Sequence, residues 1–492
     1  MDVLLVNPPF ERLRETDNGY FPLGLGYLAA VLRNNKHTVK IYNADMGKET
    51  KSFKVFSVIN RKRTHALYLN ALKNEHHYVW KEIEQVIADQ NPEVLGITVT
   101  SDMYPSALKI AHIAKKILPK CKIIVGGVHA TLRYQTVIKN KDIDFVVRGE
   151  GEETLIELVK VLESKKKTYA RIKGLSFKIG KKVVHNLDRP FIEDINKLPL
   201  PARDCVLFPE LYRASDMNLI IASRGCPFRC TFCSSSQFWK HRYRTRYVDS
   251  IVRELEYVIN TYDIKHFRFW DDIFTSNKEE LIKLCKEIIR RKIHKKVHWN
   301  CLTRINSLDA ERLYWLKKAG CTKICLGIES GSDKILESMN KNLTVKQTMN
   351  RVKQIRKAGF ILHAYIIIGM PDELETDIFA TMSLMKKINA QVIMVHTLVP
   401  YPGTAVSAQL ESSGQLQKNY DWIEPLNPYA NYTQLSDKRF NELVNEMMQL
   451  ARKLSDTNML QLIGMAWLYR KSLIQDPRRI MKEVKERLFT KY

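Results

Sequence analysis

Three cysteines in one short stretch carry the most specific chemistry in the chain. In Ser223-Arg224-Gly225-Cys226-Pro227-Phe228-Arg229-Cys230-Thr231-Phe232-Cys233 they are separated by three residues and then by two. Thiolates are the usual ligands of iron–sulfur clusters. Three of them on a four-iron cube leave one iron open to a small chelating ligand, so Cys226, Cys230 and Cys233 are read as holding a [4Fe–4S] cluster. A structural zinc site needs four ligands, and the nearest extra candidates, Cys205 and His241, stand at no regular spacing. Cys121, Cys205, Cys285, Cys301, Cys321 and Cys325 fall in strand, helix or linker patterns and read as small core hydrophobes.

Two sets of alternating elements must position that loop. Residues 1–165 alternate continuous apolar strands (Asp2–Asn7, Val39–Tyr42, Val94–Val99, Lys122–Val125, Phe145–Val147) with helically spaced segments. That pattern predicts an α/β unit with a doubly wound, Rossmann-like parallel sheet. Such sheets bind ligands at the carboxyl ends of their strands. Asn7 and Pro8 follow strand one there. Gly126, Gly127, His129 and Thr131 follow strand four, and Gly149 and Glu150 follow strand five. Their small residues let a flat ligand approach the backbone; the competing reading is a set of tight strand-to-helix turns. The basic stretch 48–77 reads as an insertion. Residues 166–215, with a hairpin near Gly174–Val184 and the run Leu198-Pro199-Leu200-Pro201, read as a linker with short strands.

Residues 216–410 repeat the alternation with six strands: Leu219–Ser223, His266–Trp270, Val297–Leu302, Lys323–Leu326, Leu362–Ile368 and Val392–Thr397. Six βα units predict a partial (β/α)6 TIM-type barrel, with functional residues at strand carboxyl ends. Asp271 and Asp272 sit at one such end; the alternative is a cap for the next helix, since Thr275, Ser276 and Asn277 follow. Arg304 ends the third strand and suits a carboxylate or ribose, or a surface salt bridge. Glu329 and Ser330 lie between glycines after the fourth strand, and Gly369 follows the fifth. Residues 411–492 read as C-terminal helices. There, Met459–Tyr469 and the basic helix Arg478–Phe489 fit either packing on their own domain or peripheral contact with an anionic membrane.

Bulk composition narrows the classes. A chain of 492 residues with 45% hydrophobic content has room for two or three domains. No run reaches the roughly 18 apolar residues of a spanning helix, and MDVLLVNPPF lacks the basic n-region of a signal peptide. Nine cysteines are too few for a disulfide scaffold, so a cytoplasmic location is expected. The net charge of +26 implies attraction to polyanions or a Lys-rich solvated surface. No RNA-recognition motif accompanies it.

The cysteine motif and the ordered segments after it resemble the radical S-adenosylmethionine (SAM) superfamily. Together with residues 1–165, they resemble its cobalamin-binding branch. The resemblance covers about residues 1–405. It implies SAM on the open iron, with Phe232 and the Gly369 segment beside the adenine. Asp271, Asp272, Arg304, Glu329 and Ser330 would serve the methionyl group, the ribose or the substrate. It implies cobalamin held by Asn7, Pro8, Gly126, Gly127, His129, Thr131, Gly149 and Glu150. The segment Asn43-Ala44-Asp45-Met46-Gly47 departs from the Asp-x-His-x-x-Gly pattern, so no histidine lower ligand is expected. The implied activity is methyl transfer to an unactivated carbon of a small-molecule or lipid-like substrate, with electrons from a flavodoxin or ferredoxin. The rival enzyme reading is a radical cyclase of the anaerobic chlorophyll-ring type. A third class is an RNA-binding protein with a structural cluster.

Overall fold

The computed structural model describes residues 1–16, 19–47, 58–164, 168–417, 422 and 430–455. Met459–Tyr469 and Arg478–Phe489 lie outside them. By contacts the chain forms two compact units.

The first unit carries β1 (Asp2–Asn7), β2 (Thr38–Asn43), β3 (Val94–Thr98), β4 (Lys122–Gly126), β5 (Phe145–Val147), β6 (Leu175–Ile179) and β7 (Lys182–His185) in the order β2-β1-β3-β4-β5-β6-β7. From β2 to β5 the pairing is parallel. Interior positions of β1 and β3 are buried throughout, as a strand covered on both faces must be. The order reverses between β1 and β3, which opens a ligand crevice at their carboxyl ends. The hairpin β6–β7 pairs antiparallel onto β5. The segment expected as a linker therefore extends the first sheet. The helix Val58–Lys73 occupies part of the expected insertion, and its Tyr68 hydroxyl donates to the Asp102 carbonyl (2.9 Å). The described residues between 400 and 427 pack with this unit, including the helix Ala405–Ser412.

The second unit carries β8 (Leu219–Ile220), β9 (Ser223–Gly225), β10 (Tyr243–Thr245), β11 (His266–Phe269), β12 (His298–Thr303), β13 (Cys321–Glu329), β14 (Ile361–Ile368) and β15 (Val392–Thr397). Its six-stranded sheet runs β8-β11-β12-β13-β14-β15, parallel throughout and in chain order. Right-handed crossovers in a sheet that never reverses return every helix to the same face. That single winding is a partial barrel. The helices begin at side-chain caps: Asn277 accepts the Glu280 N–H (3.1 Å), Asp309 accepts the Arg312 N–H (2.7 Å), and Thr344 with Gln347 forms a capping box. One core joins strands and helices, including Phe269, Trp299, Leu326 and Ile366. The helix Asp437–Ser455 adds Phe440, Leu443 and Met447. Among the described residues no helix is long and apolar enough to cross a membrane.

Candidate active site

The cysteine loop leaves the first barrel strand through a short antiparallel ribbon, β9 with β10. Gly225 closes it at φ +94°, where a side chain would collide with the Arg242 carbonyl. The far end of the loop is tied across the barrel. Thr231 donates its N–H to the Met339 carbonyl and its hydroxyl to the Ser338 carbonyl, both at 3.1 Å.

Cys226, Cys230 and Cys233 are free and half-buried. Burial pushes the Cys226 thiol up to about 11, and the nearby charges of Cys233, Asp272 and Cys230 add to the rise. Burial likewise raises the Cys233 thiol, again with Cys230 and Asp272 contributing. The three sulfurs and Asp272 therefore lie within electrostatic reach of one another. Backbone N–H groups oppose the rise: Phe228 at Cys226, and Ser235 and Ser236 at Cys233. N–H groups aimed at sulfur are how proteins tune iron–sulfur clusters. Among the described residues no three His, Cys, Asp or Glu side chains gather where one ion could sit. Zinc would need sulfurs about 3.8 Å apart, given bonds of about 2.3 Å, whereas a cube takes each sulfur on a different iron. The donor set fits the cluster.

The two adjacent aspartates divide. Asp271 is buried and accepts the Ala222 N–H (3.2 Å) and the Ser223 hydroxyl. Burial pushes its carboxyl up to about 7 against those hydrogen bonds. It fixes the turn that launches the cysteine loop. Asp272 is exposed and accepts the Ser235 hydroxyl (2.6 Å) beside the cysteines, where a ligand amine can reach it. Neither caps the following helix, since Asn277 does so. Arg304 makes no surface salt bridge. It is buried, with Nη1 donating to Cys230 Sγ (2.9 Å), Nη2 to the Lys341 carbonyl and Nε to Asn306 Oδ1 (3.1 Å).

Glu329 ends β13 in the left-handed region (φ 65°) and is buried against Lys341, whose Nζ lies 2.6 Å from Oε1. The same Nζ stands 5.8 Å from the centre of the Phe232 ring. Ser330 turns away into the helix Glu375–Ile388, within 3.2 Å of the Thr381 hydroxyl. Gly369 (φ 102°) donates its N–H to Glu373 Oε2 (2.6 Å), and burial pushes that carboxyl up to about 7. Lys341 was not foreseen. It follows Glu329 by twelve residues in a turn, where periodicity carries no signal. Glu373 stands in the Gly369 segment, but only its burial reveals that it closes the turn.

In the first unit the predicted residues gather at strand carboxyl ends and hold the loops to one another. Asn7 Nδ2 donates to Asn43 Oδ1 (2.8 Å), and the Pro9 carbonyl after Pro8 accepts the Ser106 hydroxyl (2.8 Å). Asp45 accepts the Phe10 and Arg12 N–H groups (2.7 and 2.9 Å), so the segment after β2 anchors the loop after β1. Thr131 donates its hydroxyl to the Gly127 carbonyl (2.8 Å) and accepts the Gly149 N–H (2.9 Å). Glu150 accepts the Ile192 N–H (2.8 Å). At Gly127 (φ 104°) a Cβ would lie 2.7 Å from the Val99 carbonyl oxygen, so backbone packs on backbone there. His129 is buried, stacked on Tyr104 (4.5 Å) and edge-on to Trp422 (5.9 Å). Its Nδ1 lies 3.0 Å from the Ser101 hydroxyl. Burial lowers its pKa to about 3, and its Nε2 has no hydrogen-bond partner. A glycine cradle and an orphaned neutral imidazole beside the β1/β3 crevice fit a flat, nitrogen-rich macrocycle.

Residues 220–385 match the family profile of the radical SAM superfamily, and residues 13–159 match that of the B12 binding domain. An uncharacterized methyltransferase of Pyrococcus horikoshii is 32% identical over 442 residues, covering 88% of this chain and 89% of the relative. The chain belongs to the B12-binding branch of the radical SAM superfamily. Another relative of this radical SAM protein is the anaerobic magnesium-protoporphyrin IX monomethyl ester cyclase of Cereibacter sphaeroides. It is 27% identical, covering 70% of this chain and 58% of the cyclase. A solved structure of the radical SAM methyltransferase TsrM from Kitasatospora setae, with cobalamin and a [4Fe–4S] cluster bound, has a TM-score of 0.66 at 18% identity. It covers 84% of this chain and 75% of that one and supports the fold.

Proposed function

We propose that this radical SAM enzyme is a cobalamin-dependent methyltransferase acting on an unactivated carbon of a small molecule. Residues 1–165 hold cobalamin and residues 216–410 hold the cluster and SAM. The observation that carries the reading is the single loop that presents three free, half-buried cysteines, with the Arg304 guanidinium 2.9 Å from the Cys230 sulfur.

With its cofactors bound, the protein has at hand reductive cleavage of SAM to a 5′-deoxyadenosyl radical and a methyl group carried on cobalamin. The chain's own residues bind and orient. Cys226, Cys230 and Cys233 ligate three irons. The Phe228, Ser235 and Ser236 N–H groups and Arg304 offset thiolate charge. Asp272 takes the methionyl amine, Phe232 flanks the adenine, and Glu329, held by Lys341, faces the ribose. Gly126, Gly127 and Gly149 let the corrin lie against backbone, with Asn7, Pro8, Thr131 and Glu150 fixing the loops around it. The segment Asn43–Gly47 after β2 holds no histidine, so it would not supply one to a bound cobalamin. A flavodoxin or ferredoxin supplies the electron.

The Pyrococcus relative, aligned over most of both chains, favours methyl transfer, while the cyclase relative favours ring closure with the same two cofactors. Incubation of reconstituted enzyme with methyl-labelled SAM and candidate substrates separates the two: labelled product supports methyl transfer, and unlabelled product supports cyclisation. Replacing all three cysteines by alanine is expected to abolish iron binding and deoxyadenosine release. Retention of both would overturn the reading.

A further inference from the structure

Tyr401 stands in the Tyr401-Pro402-Gly403-Thr404 turn after β15, and two hydrogen bonds fix that turn. Thr404 donates its hydroxyl to the Tyr401 carbonyl (2.7 Å) and caps the helix Ala405–Ser412 by accepting the Ser407 N–H (3.2 Å). The Tyr401 hydroxyl donates to Asp102 Oδ2 (3.2 Å) in the loop after β3. Its ring lies parallel to that of Trp422 (11°, 6.2 Å between centres), which stands edge-on to His129 (5.9 Å) after β4. His129 Nδ1 lies 3.0 Å from the hydroxyl of Ser101, the residue before Asp102. These contacts close a ring of five residues, all in the first unit. The ring sits at the carboxyl ends of β3 and β4, beside the crevice where strand order reverses.

Two groups in the ring lack the partners that burial demands. His129 is fully buried, and its Nε2 has no hydrogen-bond partner. Asp102 is half-buried, and the Tyr401 hydroxyl is its carboxylate's one hydrogen-bond donor among the described residues. A carboxylate offers about four acceptor sites. Burial raises the pKa of Asp102 and lowers that of His129, so both are held away from their charged forms. Unmade hydrogen bonds on buried groups are costly, and an aromatic wall with a few converging polar groups is the pattern of a cofactor site. A carboxamide suits both groups. Its N–H donates to a carboxylate, and with its C=O it satisfies an imidazole nitrogen in either tautomer. The corrin of cobalamin carries such amides around its rim.

We propose that Asp102 and His129, walled by Tyr401 and Trp422, bind propionamide arms of cobalamin, so that the turn after β15 belongs to the cobalamin site. The inference rests on the cobalamin half of the proposed function and adds the residues that read the corrin's rim. His129 is expected at the corrin from the sequence; Asp102, Tyr401 and Trp422 are not. Asp102 touches the cofactor, and Tyr401 is a positioning residue that aims its carboxylate.

The test is absorbance titration of hydroxocobalamin and its b-, d- and e-monocarboxylic acids into cluster-reconstituted, corrinoid-free enzyme. Each acid replaces one propionamide by a carboxylate, which Asp102 repels. The wild-type enzyme is expected to bind at least one acid about tenfold or more weakly than hydroxocobalamin. In D102N that gap is expected to close, because an amide meets the acid without repulsion, and Y401F should fall between. Loss of packing alone would weaken all the corrinoids in parallel and leave the gap as wide. Iron per chain, expected unchanged, reports that the variants fold; Y401F, which keeps the ring, serves if D102N does not. Two results overturn the assignment while the cobalamin reading stands: all three acids bound as tightly as hydroxocobalamin, or a gap equally wide in wild type and variants. Failure of the wild-type enzyme to bind hydroxocobalamin overturns the cobalamin reading, and the assignment with it.

Discussion

Arg304 and Cys230 are in direct contact, Nη1 to Sγ at 2.9 Å, with the Phe228 ring 4.1 Å from the guanidinium carbon. A cation on a ligating sulfur stabilises the more negative, reduced state of a cluster. Arg304→Gln is therefore expected to lower the midpoint potential by tens of millivolts, where about 59 mV is a tenfold change for one electron. Arg304→Lys should recover part of it. A redox titration followed by electron paramagnetic resonance reads the shift, and an unmoved potential would remove this role.

Glu329 and Lys341 form a buried pair, and Gly327 leaves room for it: a Cβ there would sit 3.0 Å from Lys341 Nζ. Removing one partner of such a pair leaves an uncompensated buried charge. Lys341→Met should cost about 3–5 kcal/mol in urea unfolding at constant m. The double variant E329Q/K341M should regain part of that loss. Equal stability of the single and double variants would show that the charges do not interact.

Glu373 makes stability depend on pH. Its Oε2 accepts the Gly369 and Met370 N–H groups (2.6 and 3.3 Å), yet burial lifts its pKa from 4.5 to about 7. Between those values the native state holds a proton that the unfolded chain has released. The contribution is full below 4.5 and is lost as pH rises through 7. Glu373→Gln, neutral throughout, should flatten that part of the slope. Urea midpoints from pH 5 to 8 test it, and parallel slopes in both proteins would refute the assignment.

Neighbouring glycines after β4 should respond differently. Gly127 has φ +104°, and a Cβ there would crowd the Val99 backbone at 2.7 and 2.9 Å. At Gly126 the nearest atom would stand 3.7 Å away. Gly127→Ala is expected to cost at least about 2 kcal/mol through backbone strain, whereas Gly126→Ala should leave stability unchanged; a Cβ at either position is expected to reduce cobalamin content. Thermal melting with corrinoid absorbance distinguishes them.

Elements whose identity rests on local pattern were legible. The strands Asp2–Asn7 and Val392–Thr397 and the helices Lys278–Arg290 and Val345–Lys357 stand where periodicity puts them. Pairings between distant segments were not. Nothing in Leu175–Ile179 announces that it will add to β5, because any strand of alternating polarity can close a sheet edge. The roles of identical residues were also hidden. Asp271 and Asp272 differ only in the face they take, and that parity is set by the strand they follow. Arg304 read as a ligand for carboxylate, but its sulfur partner lies 74 residues away. Only the fold brings them together.

The single winding of the second sheet has a consequence for how such an enzyme can diversify. Alternate residues of one strand answer to separate demands: Phe267 and Phe269 fill the core against the helices, while Arg268 between them stands on the opposite face. Changes at the parity of Arg268 leave the hydrophobic wedge against the helices intact. A library confined to those positions can therefore explore new substrates on an unaltered frame.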